Sequence, residues 1–443
     1  MNLGAAEVAR LLLALALLMI AAHGAGSAFA RFRQPRVIGE ILGGLLLGPT
    51  VLGALAPDLQ HWLFPTDGST GTVLGSIHQL GLLLLMYCSG TEIRTFVRRR
   101  EVRTVASVLV LGTAVPFLAA LFSLRFFHEA RFFGPAGTTT SFLLIFGVAA
   151  AVTSIPVISR IMFDLGILGT PFARIVLGVA VLEDVVLYVV LAVALGIGAQ
   201  GQGALFGLPS VLGLAPGSVW DVTYHAVATL GVLGAFLLFG PRVYAVTARL
   251  RYNLIRKRSP LAYQLLFMLV ACLACAALGI QAFFGAFLAG IVVGAATRGT
   301  ASADEGATAA IGHFSFAFFI PVYFAIVGLQ LDLLRGFDPL FFVAFLTFAC
   351  LVKAASVYAG ARVGGQPPGP AMNLAVAMNA RGGPGIVLAS VAFGAGIIDR
   401  GFYAVLVLLA VLTSLFAGSW LERIPRDRLL VDEDTPDTLT PTA

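Results

Sequence analysis

Residues 376–385 read Val-Ala-Met-Asn-Ala-Arg-Gly-Gly-Pro-Gly, in the middle of an apolar segment that runs from about 370 to 396. An arginine is costly in such a segment, and Gly-Gly-Pro does not continue a helix smoothly. Proline has no amide donor and crowds the turn before it, while glycine loosens the backbone. A second interruption, Thr153-Ser154-Ile155-Pro156, falls in the apolar segment 140–164. Either alone is a tolerable kink. Placed in corresponding segments of two chain halves, they predict two crossed broken helices, whose half-helix ends and unwound carbonyls can coordinate ions at the middle of a bilayer.

The surrounding chain supports that reading. Its 443 residues are 59% apolar and 11% charged, with a mean hydropathy of +0.95. Soluble domains hold about 45–50% apolar and about 25% charged residues, so the lipid bilayer is this chain's solvent. Thirteen segments are long and apolar enough to cross it, at roughly 8–30, 35–52, 73–90, 102–127, 140–164, 170–199, 220–248, 260–278, 280–297, 308–330, 339–364, 370–396 and 400–423. The expected fold class is an all-α polytopic membrane protein. Six segments, one connector and six more put the second half upside down relative to the first, and the interruptions then fall in the fifth segment of each. Inverted repeats of this kind are a transporter architecture.

Ala28-Phe29-Ala30 imitates a signal-cleavage site, but Arg31, Arg33 and Arg36 follow at once, and basic loops stay in the cytoplasm. The first segment is therefore kept as a span. Over alternate loops, twenty Lys and Arg fall on one side and five on the other. That split places the amino terminus outside the cytoplasmic membrane of the cell and the carboxyl terminus inside. The net charge of +6 thus concerns topology, and nucleic acid is a poor partner. Residues 427–443 carry five acids and one arginine and read as a disordered tail.

Four ionisable side chains sit well inside spans: Glu183, Asp184, Lys353 and Arg381. At about 2.5–3.5 kcal/mol each, exposing them to lipid would cost on the order of 10 kcal/mol, so they face protein or a hydrated cavity. Adjacent helical residues point about 100° apart, so Glu183 and Asp184 serve different faces. One can face an ion path while the other pairs with a cation. Lys353 is the natural partner of one of them. The chain has 26 arginines and two lysines, and only an ammonium can release its proton when buried.

Other features read as packing. Glu40 lies near the cytoplasmic end of its span and caps it or pairs with Arg36. His23, His78 and Gln79 suit helix-to-helix hydrogen bonds, Gly39, Gly43, Gly44 and Gly48 suit close helix contact, and Pro321 suits a kink. Cys272-x-x-Cys275 lacks a second ligand pair, and Gly196-x-Gly198-x-x-Gly201 follows a helical pattern where a strand is needed. No cofactor motif and no catalytic triad is present, and an enzyme is not expected.

At this point the chain resembles the second branch of the monovalent cation:proton antiporter superfamily, which includes bacterial sodium/proton and potassium/proton exchangers. The matching stretches are Gln-Pro-Arg-Val-Ile-Gly-Glu at 34–40 with Gly48-Pro49, Gly-Leu-Leu-Leu-Leu-Met at 81–86, and Thr-Ser-Ile-Pro-Val-Ile-Ser-Arg at 153–160. Glu183-Asp184, Gly-Ala-Phe-Leu-Ala-Gly at 285–290 and Met-Asn-Ala-Arg-Gly at 378–382 complete them, in family order. The resemblance implies that residues 93–200 and 336–424 form a mobile core, residues 1–92 and 251–335 a dimerising scaffold, and 201–250 a linking helix, with 425–443 as a tail. It implies a homodimer that works as an elevator.

Residue by residue, Asp184 matches the family's ion- and proton-carrying aspartate, and Glu183 the position that is Asp in many electrogenic members and Asn in electroneutral ones. Lys353 matches the lysine paired with that first acid. Thr153 and Ser154, with Pro156, match the first crossover, and Arg381, with Gly382, the second. Two departures stand out: Glu183 is one methylene longer than Asp, and Gly383-Pro384-Gly385 replaces the usual apolar and acidic residues.

The function implied is exchange of Na+ or K+ for H+, with Asp184 holding a proton or a transient metal cation, never both. Other readings are a potassium efflux channel-like system, whose known forms carry a cytosolic nucleotide-binding domain where only about 20 residues follow the last segment here, and a carrier of a small organic ion.

Overall fold

The computed structural model describes residues 4–32, 34–65, 68–92, 101–123, 129–154, 158, 162, 167, 170–198, 208–213, 218–250, 253–297 and 303–424. All thirteen expected segments carry helix, and among the described residues there is no strand, only an isolated bridge between Phe133 and Ile398. Numbering only the helices of the thirteen segments, and leaving aside short ones such as Pro57–Leu63, the first seven are α1 (Ala5–Arg31), α2 (Arg36–Leu47), α3 (Gly68–Glu92), α4 (Val102–Ser123), α5 (Thr139–Ala151), α6 (Pro171–Gly198) and α7 (Val219–Arg249). There follow α8 (Pro260–Ala277), α9 (Ala282–Ala296), α10 (Ala303–Phe314, continued in Ile320–Leu329), α11 (Pro339–Val363), α12 (Pro368–Ala377 and Gly382–Gly394) and α13 (Arg400–Glu422). Among the described residues eleven, counting α2 on to Leu55, are long and apolar enough to cross a membrane. The exceptions are α5, which stops at its expected break, and the 15-residue α9.

The packing repeats between halves. α1 lies on α2 as α8 lies on α9, α2 on α10 as α9 on α3, and α4 on α5 as α11 on α12. Close backbone approach makes this possible. A methyl group at Gly44 would overlap the Ala325 carbonyl and one at Gly328 the Ile41 carbonyl, while methyls at Gly90 and Gly290 would strike Phe287 and Tyr87 backbone across the equivalent contact. Gly39 and Gly43 abut α1 backbone in the same way that Gly285 abuts α8. Without side chains at these points, van der Waals contact between helices holds where no hydrophobic driving force acts within lipid. The two halves are inverted repeats in contact pattern as well as in segment order.

Pro321 is accommodated by a π-helical turn, Ser315–Phe319, immediately before it, so the widened turn absorbs the missing amide bond. Depth in the protein separates the helices sharply. In α12 94% of the membrane-crossing window is buried, against 11% in α7. The broken helix is the centre of the molecule, and α7 is its apolar rim.

Candidate functional site

The first break begins where α5 ends at Ala151 and the chain runs extended through Val152. A helix end leaves its last carbonyls without partners, and inside a bilayer no bulk water can supply them. Two buried cations do so instead. Arg381 donates from Nε to the Ala149 carbonyl (3.2 Å) and from a terminal nitrogen to the Ala150 carbonyl (2.9 Å), and Lys353 Nζ donates to the Ala151 carbonyl (2.5 Å). Positive charge is also what the negative end of the helix dipole favours.

The second break lies against the first. Ser154 donates its amide to the Ala380 carbonyl (2.6 Å), and the Thr153 hydroxyl donates to the Met378 carbonyl (2.7 Å). When α12 resumes, its first free amides are also capped: Gly382 donates to Ser414 Oγ (3.0 Å) and Gly383 to Ser154 Oγ (3.1 Å). Pro384 then falls in the first turn, where its missing amide costs nothing, so Gly-Gly-Pro starts a new helix after the break. Pro156 lies outside the described residues.

α6 packs against α5 and both halves of α12 and carries the acid pair midway along its length. Glu183 and Lys353 are fully buried and form an ion pair, with Lys353 Nζ 2.5 Å from Glu183 Oε1. Thr113 donates to the same oxygen (2.9 Å), and Lys353 also donates to the Gly112 carbonyl (3.0 Å). Asp184, 3% exposed, is pointed elsewhere, as the 100° step requires, and its Oδ1 has no hydrogen-bond partner. Glu183 Oε2 is left in the same condition, which is rare for buried polar atoms, but among the described residues Asp184 also forms no ion pair.

Arg381 meets no carboxylate among the described residues. Besides the α5 carbonyls it donates to the Ala349 carbonyl (2.9 Å) and to Asn379 Oδ1 (3.1 Å), so it ties α5, α11 and the α12 break together. Of the candidate residues, the structure thus joins Glu183, Lys353, Thr153, Ser154, Arg381 and Gly382 in one cluster. Glu40 sits apart, buried against Gly26 where α2 meets α1, with Oε2 unpartnered. Residues not singled out from sequence also take part: Thr113, Asn379, Ser414 and Thr413, whose hydroxyl accepts from the Arg381 amide (3.3 Å). Their signal was the one already used for the charges, a polar side chain in an apolar run. His23 and His78 make the expected interhelical bonds, to the Ala317 carbonyl and to Ser390, while Gln79 is exposed.

A family profile described as sodium/hydrogen exchanger, transmembrane, matches residues 13–426. Similar curated proteins include the Na(+)/H(+) antiporter NhaS4 of Synechocystis, 29% identical over 90% of this chain and 93% of that protein. The Na(+)/H(+) antiporter of Enterococcus hirae is 24% identical over 91% and 95%. K(+)/H(+) antiporter 1 of Saccharomyces cerevisiae is 28% identical over 87% of this chain, which spans only 43% of that longer protein. The fold is similar to that of the sodium proton antiporter MjNhaP1 of Methanocaldococcus jannaschii at pH 8, with a TM-score of 0.65, 15% identity, and coverage of 94% of this chain and 97% of the other.

Proposed function

Because the chain belongs to the sodium/hydrogen exchanger family, we propose that it exchanges Na+ or K+ for protons across the cytoplasmic membrane, with Asp184 as the carrier of both. The observation that carries this reading is the division of labour in the acid pair. Glu183 is paired through Oε1 with Lys353 and Thr113, its Oε2 left unpartnered, while Asp184 has an unpartnered Oδ1 and no ion pair among the described residues. Relatives named for both Na(+)/H(+) and K(+)/H(+) exchange support either cation as the substrate.

A carboxylate can hold one proton or one cation, and the loaded site is neutral in both cases. Crossing an apolar barrier with the bare charge is penalised, so only loaded forms change sides, and mutual exclusion becomes coupling. Thr153 and Ser154, at the crossover beside α6, supply the neighbouring oxygen atoms. The Glu183–Lys353 pair keeps a second acid neutralised next to Asp184, and breaking it during the cycle would release a further charge.

In this reading, α4–α6 and α11–α13 slide as a core against α1–α3 and α8–α10, with α7 as the link. The protein works as a homodimer, with its amino terminus outside and its carboxyl terminus cytoplasmic. The test is exchange by the purified protein in proteoliposomes containing a pH dye, with Na+ and K+ added in turn and the membrane potential clamped. Cation-driven proton efflux is expected, and its dependence on the clamp gives the net charge per cycle. A proton flux indifferent to both cations would refute the reading.

A further inference from the structure

A second polar cluster lies outside the acid pair. His78 on α3 and Ser390 on the second half of α12 are joined by a hydrogen bond from His78 Nε2 to Ser390 Oγ (3.1 Å), and the imidazole is stacked on Tyr323 of α10 at 4.7 Å between ring centres. All three side chains are buried. Ser390 is eight residues past the α12 break, about 12 Å along the helix. Tyr188, one turn beyond Asp184 on α6 in the same direction, lies within electrostatic reach of both Asp184 and the Tyr323 hydroxyl. With the topology given above, this direction is toward the outside, and the cluster stands between Asp184 and the outer face.

As glue between helices, the cluster is poorly made. His78 Nδ1 is buried with no hydrogen-bond partner, and the Tyr323 hydroxyl, also buried, lies at the edge of hydrogen-bonding reach of Ser390 and makes no well-formed bond. Partly satisfied polar networks are less favourable than an apolar core in the same space. Separation of the helices would let water reach both atoms, so the open arrangement recovers what the closed one forgoes. A contact with that balance suits a gate, which must both close and part.

We infer that His78, Ser390 and Tyr323 form a polar latch that holds α12 against α3 and α10, closes the route from Asp184 to the outside, and parts when the site opens outward. This rests on the exchange cycle proposed above, in which α12 moves relative to α3 and α10. The three residues position the gate and touch neither cation nor proton carrier. The two halves of the cluster predict effects of opposite sign. Ser390→Ala removes the one bond that favours closure, so it shifts the population outward. Tyr323→Phe keeps the ring stack and deletes a hydroxyl that is poorly bonded when the helices are closed and free to meet water when they part, so it shifts the population inward.

Half-saturating cation concentrations for the full chain, measured in right-side-out and everted membrane vesicles, test this. Because apparent affinity scales with the fraction of protein in the competent state, the ratio of outer to inner values is expected to fall about fivefold in Ser390→Ala and to rise by about as much in Tyr323→Phe. A merely structural role would lower maximal rates without moving that ratio. Shifts of the same sign in both variants, or no shift in either, overturn the latch. Asp184→Asn, measured alongside, keeps the outcomes separate. An inactive Asp184→Asn with unmoved ratios removes the latch and leaves the carrier, whereas an active one removes the carrier itself.

Discussion

Lys353 and Arg381 meet at the same place, the exposed carbonyl end of α5, yet they are held differently. Arg381 is surrounded by fixed acceptors: the carbonyls of Ala149, Ala150 and Ala349, and Asn379 Oδ1. Lys353 takes the Ala151 and Gly112 carbonyls and one titratable partner, Glu183. Guanidinium keeps its charge and its forked geometry, whereas ammonium is a compact charge that can lose a proton. The difference teaches that one buried cation closes the broken helix for good and the other is coupled to an acid that can change state. A chain that otherwise prefers arginine places lysine at the second position.

Arg381→Ala should have the largest effect on folding. It orphans the Ala149 and Ala150 carbonyls of α5 and takes a donor from the Ala349 carbonyl of α11, and a loss of about 3 kcal/mol or more is expected, seen as a lower melting temperature and folded yield in detergent. Arg381→Lys should recover less than half of that loss, because a single nitrogen cannot replace three nitrogens that donate from separate points of a planar fork. Full recovery by lysine would erase the distinction between the two cations.

Lys353→Gln should cost about 3 kcal/mol, because it leaves Glu183 buried without its counter-ion. Its main effect should be a displaced pH profile of exchange. Glu183→Gln combined with Lys353→Gln should regain most of the lost stability, since neither buried charge remains. A Lys353→Gln protein with an unchanged profile would return the lysine to a packing role. Thr113→Val, which removes only the second donor to Glu183, should cost about 1 kcal/mol and move the profile in the same direction by less.

The exposed pair Arg131–Asp338 (3.1 Å) gives the smallest effect and calibrates the others. Arg131→Ala should change stability by no more than about 0.5 kcal/mol. The Phe341 amide and Arg131 hold the Asp338 carboxyl below its ordinary range. The pair's contribution is therefore present at neutral pH and fades as acid protonates Asp338, so the variant and the parent should converge in melting temperature at low pH.

The thirteen segments, both breaks and the family were legible because they rest on signals that survive without coordinates: apolar length, loop charge, and proline or glycine where a helix should continue. Which way each side chain turns was less legible. Helices such as α9, α10 and α12 are apolar on nearly every face, so periodicity does not tell protein from lipid. Sequence left either acid open to Lys353 and left Arg381 as a possible acid partner, until the resemblance pointed to Glu183. The coordinates agree with that pairing and give Arg381 carbonyls instead. His78 read as an ordinary interhelical bond, which it is, but its unpartnered nitrogen and its stack on Tyr323 depend on residues far apart in the chain. Glu40 lies within electrostatic reach of Arg36, as their spacing suggested, but that spacing gave no hint that Glu40 would be buried against Gly26.

The central claim is that Asp184 is the single carrier and Glu183 is not. Asp184→Asn, reconstituted in proteoliposomes with a pH dye, tests it most directly, with Glu183→Gln beside it. Cation-driven dequenching should vanish in Asp184→Asn and persist with an altered pH profile in Glu183→Gln. Dequenching that survives in folded Asp184→Asn protein would contradict the account.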